Sequence, residues 1–278
     1  MKIMEYICIF AAKKFTFFLL FHLIATDDKL MQDGNGAMQN SVSESDFRRY
    51  LDLIGDGKTG LESWEKKFSE EINISDDTSL VIINANPFTF GHRYLVELAS
   101  RRSSHVIVLV IQGRPESGGK GNHEETGIVF PFSDRLEMTG RCLSDMENIT
   151  VLPSGPYLIS RDDFPEGFLS DTMGKVPAHA ALDAMVICHI CNSLGIRKIF
   201  AGDEPRDEMS EIHLNALRQA CLKDRIMLRV AERKRLGEKY ISSSMVRQDI
   251  ADGRTDEIRM LVPDTVLEYI RRLSGHSA

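Results

Sequence analysis

The sequence predicts an α/β fold built on a mostly parallel sheet covered on both faces. Two observations predict it: short apolar runs alternate with helical patterns from residue 79 onward, and polar turns follow the apolar runs. Strand Leu80–Asn84 precedes helix Gly91–Arg102, and strand Val106–Ile111 precedes a long polar loop. Helix Ser133–Met146 takes Ser133 as N-cap and carries Arg135 on its first turn. Strand Ile149–Leu152 leads into a loop through Thr172, and helix Ala178–Leu194 stops at Gly195, a C-cap by residue type. Strand Lys198–Ala201 runs into Gly202-Asp203-Glu204, followed by helix Met209–Lys223 and strand Met227–Val230. A ligand site on such a sheet belongs at the carboxyl ends of the strands. No internal repeat is present.

Ahead of the sheet the chain reads differently. Phe15 to Ala25 (FTFFLLFHLIA) is apolar and follows Lys13-Lys14, the outline of a signal peptide, but it is too short to span a bilayer. Three readings stand for it: a packed or dangling helix, a misplaced start or remnant of a lost domain, and a membrane or secretion signal. Thr26 to Ser45 is polar and reads as a linker. Phe47, Tyr50, Leu51 and Ile54 share a helical face that ends at Gly55-Asp56-Gly57, and a second short helix spans Leu61 to Phe68. Residues 1–78 are therefore expected to be an N-terminal extension and residues 79–278 the α/β domain.

Composition excludes several classes. A net charge of −7 argues against a broad nucleic-acid footprint. Five scattered cysteines read as reduced thiols in a cytoplasmic protein, for which a membrane partner is not expected. The Cys188-His189-Ile190-Cys191 spacing has no second Cys/His pair to complete a metal site, and no metal ligands are expected.

Two segments carry chemistry. Asn86 to His92 reads NPFTFGH directly after the first strand. Pro87 stops the strand, Gly91 lets a phosphate approach the backbone, and His92 stands on the first turn of a helix, where free N–H groups favour an anion. A donor there can stabilise charge that develops on a bound phosphate. Ile241 to Arg247 reads ISSSMVR: Ser242, Ser243 and Ser244 offer donors at a helix start, and Arg247 adds a permanent cation one turn on. Arg135 and Gly202-Asp203 fall near the same edge; the first suits a substrate or phosphate contact, the second ribose or adenine, and both also suit ordinary surface and turn roles.

The Thr-x-Gly-His element Thr89–His92, followed by the Ile-Ser-x-x-x-x-Arg element, resembles the HxGH nucleotidyltransferase superfamily. That resemblance implies a Rossmann-like doubly wound sheet and attack on the α-phosphate of a nucleoside triphosphate. Thr89 stands where many relatives carry the first histidine. The resemblance narrows along Asn84–Glu97, Phe130–Arg135, Tyr157-Leu158-Ile159-Ser160 with Phe164-Pro165 and Phe168-Leu169, Ala201–Pro205, and Leu261–Thr265. In this order they are similar to the carboxyl-terminal domain of citrate lyase ligase, over about residues 79 to 272. The resemblance implies ATP with Mg²⁺ as cofactors and acetate as the acid, with acetyl transfer to the thiol carried by the citrate lyase acyl-carrier subunit. It implies Thr89, His92 and Arg247 as catalytic residues, and Asn86, Phe88, Gly91, Gly202, Asp203, Ile241, Ser242, Ser243 and Ser244 as nucleotide contacts. Arg135, Tyr157 and Ser160 are the implied substrate contacts.

The chain departs from that family in three places. Residues 1–78 are too few for the acetyltransferase-like domain that usually comes first. Gln112–Ile128 is longer and richer in glycine than expected, and Arg161-Asp162-Asp163 and Glu166-Gly167 put charge around the Phe-Pro pair. A pantetheine-phosphate or nicotinamide-mononucleotide adenylyltransferase is the alternative; it would need a basic cluster near the first strand, where only Arg93 and Arg101-Arg102 are found. A degenerate binding protein is the non-catalytic alternative. Class I aminoacyl-tRNA synthetases share the histidine motif, but the chain has neither their Lys-Met-Ser-Lys-Ser loop nor a basic RNA surface.

Overall fold

The computed structural model describes residues 42–54, 57–112, 130–158, 175–203 and 208–275. The apolar run Phe15–Ala25, most of the 112–128 loop and the segment holding Ser160, Phe164-Pro165 and Phe168-Leu169 lie outside the described residues. The described part belongs to one compact unit, residues 42–278. Among the described residues no helix is long and apolar enough to cross a membrane.

Helix α1 spans Glu44–Ile54. It starts there because Ser43 and Asp46 cap one another: the Asp46 amide donates to Ser43 Oγ (3.1 Å) and the Ser43 amide to Asp46 Oδ2 (3.0 Å). The expected linker therefore ends two residues early. Helix α2 spans Gly57–Glu71. After it come β1 (Thr78–Ile83), α3 (Phe90–Ser100), β2 (His105–Val110), α4 (Phe132–Cys142) and β3 (Ile149–Pro153). A short 3₁₀ turn, Gly155–Tyr157, precedes α5 (Lys175–Ser193), β4 (Lys198–Gly202), α6 (Glu208–Asp224) and β5 (Met227–Ala231). The chain closes with a small hairpin, β6 (Arg235–Leu236) and β7 (Lys239–Tyr240), and helices α7 (Ser243–Ala251), α8 (Thr255–Ile258) and α9 (Asp264–Gly275).

Two expected boundaries are corrected. Ser133 is not the N-cap of α4: Pro131 is, with φ −52°, and no side chain bonds into the cap. Proline's fixed φ already suits a helix entrance, so no serine hydroxyl is required. The same helix ends at Cys142 rather than Met146, where Arg93 Nη1 donates to the Cys142 carbonyl at 2.6 Å. An orphan C-terminal carbonyl is thereby satisfied by a neighbouring element.

The five core strands run in the order β3-β2-β1-β4-β5, and every pairing is parallel. Alternate residues feed the two faces. Leu80, Ile107, Leu109 and Ile199 meet α1, α2, α5 and α6 on one side; Val81, Ile83, Val106, Val108, Val110 and Phe200 meet α3, α4, α7 and α9 on the other. Strands buried on both faces read as continuous apolar runs, as TSLVII and HVIVLV do. Consecutive connections run outward from β1 to β2 and β3, then cross to β4 on its other side. That reversal opens a crevice at the carboxyl ends of β1 and β4.

Candidate active site

The loop from Asn84 to Thr89 leaves β1 at this crevice and is fixed from within. Ala85 is fully buried with φ +53°, a left-handed turn that bends the chain off the strand at a cost of about 1–2 kcal/mol. Asn86 is buried, and its Oδ1 accepts the Phe130 amide at 2.9 Å. Phe88 is fully buried, and its amide points at Met138 Sδ. Thr89 caps α3: its Oγ1 accepts the His92 amide at 3.4 Å, while its own amide donates to His92 Nδ1 at 3.0 Å. Histidine thus fills the acidic position of a capping box. Because Nδ1 accepts a backbone N–H, the ring proton sits on Nε2, which becomes a neutral donor at the helix mouth.

The second motif docks on the first. Ser242 caps α7, its hydroxyl accepting the Met245 amide at 3.1 Å, with Ser244 Oγ 3.0 Å away. Ser243 Oγ donates to the Pro87 carbonyl at 2.8 Å, and Arg247 Nη1 donates to the Asn86 carbonyl at 2.6 Å. Gly91 lies in the seam: a Cβ there would come within 3.3 Å of Thr89 Oγ1 and 3.4 Å of the buried Ile241's carbonyl. The amino ends of two helices and one arginine therefore converge on the same loop.

The electrostatics favour an anion despite the chain's net negative charge. Burial, reinforced by the nearby Arg233 cation, holds His92 down at about 4, so the ring is neutral at physiological pH. Burial also lowers the Arg233 and Arg247 guanidinium values, and for Arg233 the Asp203 carboxylate opposes the shift. Both stay cationic in the physiological range. Arg233 Nε is anchored on the Ile241 carbonyl at 3.0 Å, and Lys234 Nζ lies 5.8 Å from the ring centroids of Phe90 and Tyr94. Sequence reasoning passed over both residues. Their signal was the Arg233-Lys234-Arg235 run, separated by five residues from the start of the motif at Ile241.

The remaining expected site residues divide by position. Gly202 ends β4 with open space where a Cβ would stand, and the Asp203 amide donates to the Ala231 carbonyl at 2.8 Å. Both border the crevice. Arg135 is buried beneath it, donating to the carbonyls of Phe130, Asn84 and Ile111 and to Asn84 Oδ1. Those bonds tie the ends of β1 and β2 to the start of α4. Tyr157 is buried on the opposite face of the sheet, edge-on to Trp64 at 6.3 Å between centroids. Ser160 lies outside the described residues. Arg93, one of the few cations the alternative adenylyltransferase could draw on, is tied to Glu97 and Asp145 (2.9 and 2.6 Å).

Comparison with known proteins bears on this arrangement. The citrate (pro-3S)-lyase ligase of Haemophilus influenzae is 28% identical over 238 residues, 82% of this chain and 66% of its own length. The Escherichia coli ligase is 26% identical over 231 residues, 81% of this chain and 62% of its own length. The chain thus spans about two thirds or less of the length of these curated relatives. Among solved structures, pantothenate synthetase from Thermus thermophilus aligns with a TM-score of 0.43 at 17% identity, over 64% of each chain. The family model for the citrate lyase ligase C-terminal domain matches residues 78–270, which include both motifs, and the chain belongs to that family.

Proposed function

We propose that the chain binds Mg·ATP across the β1–β4 crevice, adenylates acetate, and passes the acetyl group to the thiol of the citrate lyase acyl-carrier prosthetic group. The observation that carries this reading is the docking of ISSSMVR onto NPFTFGH through Arg247–Asn86 and Ser243–Pro87. It gathers the donors a triphosphate needs on one edge of the sheet. The site offers cations, hydroxyls and backbone N–H groups, a donor set for phosphate; Mg²⁺ would come with the nucleotide and would supply charge neutralisation to the triphosphate beside Arg247 and Arg233.

In this reading a carboxylate oxygen of acetate attacks the α-phosphorus. The bond from that phosphorus to the oxygen shared with the β-phosphate breaks, and pyrophosphate leaves. No covalent protein nucleophile is required, so catalysis is positioning plus charge stabilisation. His92 Nε2–H donates to the α-phosphate and the leaving oxygen. Thr89 holds that ring and its tautomer. Arg247, the amides of Ser243 and Ser244, and Arg233 draw pyrophosphate away. Gly202 and Asp203 receive the nucleoside, and Asn86, Phe88 and Ile241 contribute backbone walls. Arg135 supports the floor from beneath. The carrier thiol then attacks the acetyl carbonyl, the carbon–oxygen bond to AMP breaks, and AMP departs; the thiol proton is lost to solvent. The loop that follows Tyr157, through Ser160 to Leu169, is assigned the acid pocket and docking rim, with Tyr157 itself anchoring its start in the core.

The test is exchange of labelled pyrophosphate into ATP without carrier protein. Acetate-dependent exchange is expected, because an acyl-adenylate forms first. Exchange that ignores acetate and responds to phosphopantetheine or nicotinamide mononucleotide would overturn the ligase reading in favour of another adenylyltransferase.

A further inference from the structure

We propose that His179, Asp183 and His213 form a second site, for one divalent transition-metal ion of the zinc class bound by two imidazoles and a carboxylate. It goes beyond the adenylation reading and shares no residue with the nucleotide site.

The site follows from how α5 and α6 pack. His179 and Asp183 stand one helical turn apart on α5, so they share a face. His213 comes from α6, 34 residues beyond His179 in sequence. The two helices flank β4 in sequence, and Ala180, Ala184 and Ala216 pack together between them. Small side chains let the backbones approach closely enough for imidazoles on both helices to meet. One ligand atom from each of the three residues lies within 4.8 Å of the other two. His179 Nδ1 and His213 Nε2 are 3.0 Å apart, and His179 Nε2 is 3.1 Å from Asp183 Oδ2. Zinc–nitrogen bonds of about 2.0–2.1 Å at a tetrahedral centre place ligand nitrogens about 3.4 Å apart. The two short contacts use opposite nitrogens of the His179 ring, so an ion takes one of them, and the ligand atoms, which lie within 4.8 Å of one another, close by up to about 1.4 Å as the side chains turn toward it.

The surroundings fit an ion as well. His179 is 2% exposed, so a bound ion would be shielded by protein on that side. The Tyr50 hydroxyl, from α1, donates to Asp183 Oδ1 at 3.3 Å and orients the carboxylate from outside. Such an outer bond fixes a ligand's direction and sharpens its affinity. Imidazole and carboxylate together suit zinc, cobalt or nickel better than magnesium or calcium, which prefer all-oxygen sets. The pattern was hidden in the sequence because the third ligand lies on a different helix, outside the close spacing of the usual zinc motifs.

The test uses the full chain without a histidine tag, stripped with chelator and titrated with Co²⁺ and Zn²⁺. Absorption of bound cobalt and elemental analysis are the readouts. One ion per chain is expected, with binding weakened about 100-fold or more in His213→Gln and Asp183→Asn, and about tenfold in Tyr50→Phe. Circular dichroism of each variant confirms that it folds. A folded wild-type chain that binds no stoichiometric cobalt or zinc overturns the proposal and leaves a hydrogen-bonded Tyr–Asp–His–His relay. Stoichiometric binding unchanged in both His213→Gln and Asp183→Asn overturns it equally, by placing the ion elsewhere.

Discussion

A histidine kept neutral at the mouth of a helix donates one hydrogen bond in a fixed direction. His92 is held that way twice: the Thr89 amide occupies Nδ1, and burial with the Arg233 charge opposes protonation. His92→Ala is therefore expected to lower turnover by about 10²-fold or more with the fold intact, since one preorganised donor contributes about 3 kcal/mol and each tenfold corresponds to about 1.4 kcal/mol. Near-wild-type turnover would reduce the residue to a helix cap. The same environment sets a pH dependence. The folded-state value is depressed from 6.5 to about 4, so the folded chain favours the neutral ring. Its contribution to stability is complete above the unfolded value of 6.5 and is lost as pH falls toward about 4. Unfolding midpoints measured across that window should fall more steeply for wild type than for His92→Ala; parallel curves would contradict the assignment.

At the scale of elements, α7 is docked on the first loop by Arg247 and Ser243. Arg247→Ala should cut turnover by about 10²-fold or more, because one charged donor to the transition state is lost. Arg247→Lys should rescue it only in part, since a lysine cannot keep the Asn86 carbonyl and a phosphate in one planar fork. Full activity in Arg247→Lys would show that charge alone suffices. The helix of Phe47-Tyr50-Leu51-Ile54 was legible in the sequence because it buries a periodic apolar face, and the central strands because they are short continuous apolar runs such as TSLVII. What was not legible depended on neighbours. The start of α4 is set by Pro131, and its end is finished by Arg93 from another helix. The hairpin of Arg235–Leu236 and Lys239–Tyr240 has strands of two residues, too short for any periodicity to register. Arg233, just before that hairpin, is brought to His92 by tertiary packing, so its place in the site could not be read from spacing.

Over the whole molecule, parallel strands were readable from their alternation with helices, but their order was not. The β3-β2-β1-β4-β5 arrangement is what puts residues 84–92, 202–203 and 241–247 on one edge. It also packs Tyr157 on the face opposite Phe88, although the sequence grouped both with the site. Residues 44–71 add two helices that share the first core cluster through Phe47, Tyr50, Leu51, Leu61 and Phe68. The central claim is that this fold joins two distant segments into one triphosphate site. Calorimetric titration of the full chain with Mg·ATP tests it most directly. The account predicts saturable binding of one nucleotide per chain, weakened in His92→Ala and Arg247→Ala while both variants keep the wild-type circular dichroism. A folded wild-type chain that shows no binding of Mg·ATP would contradict it.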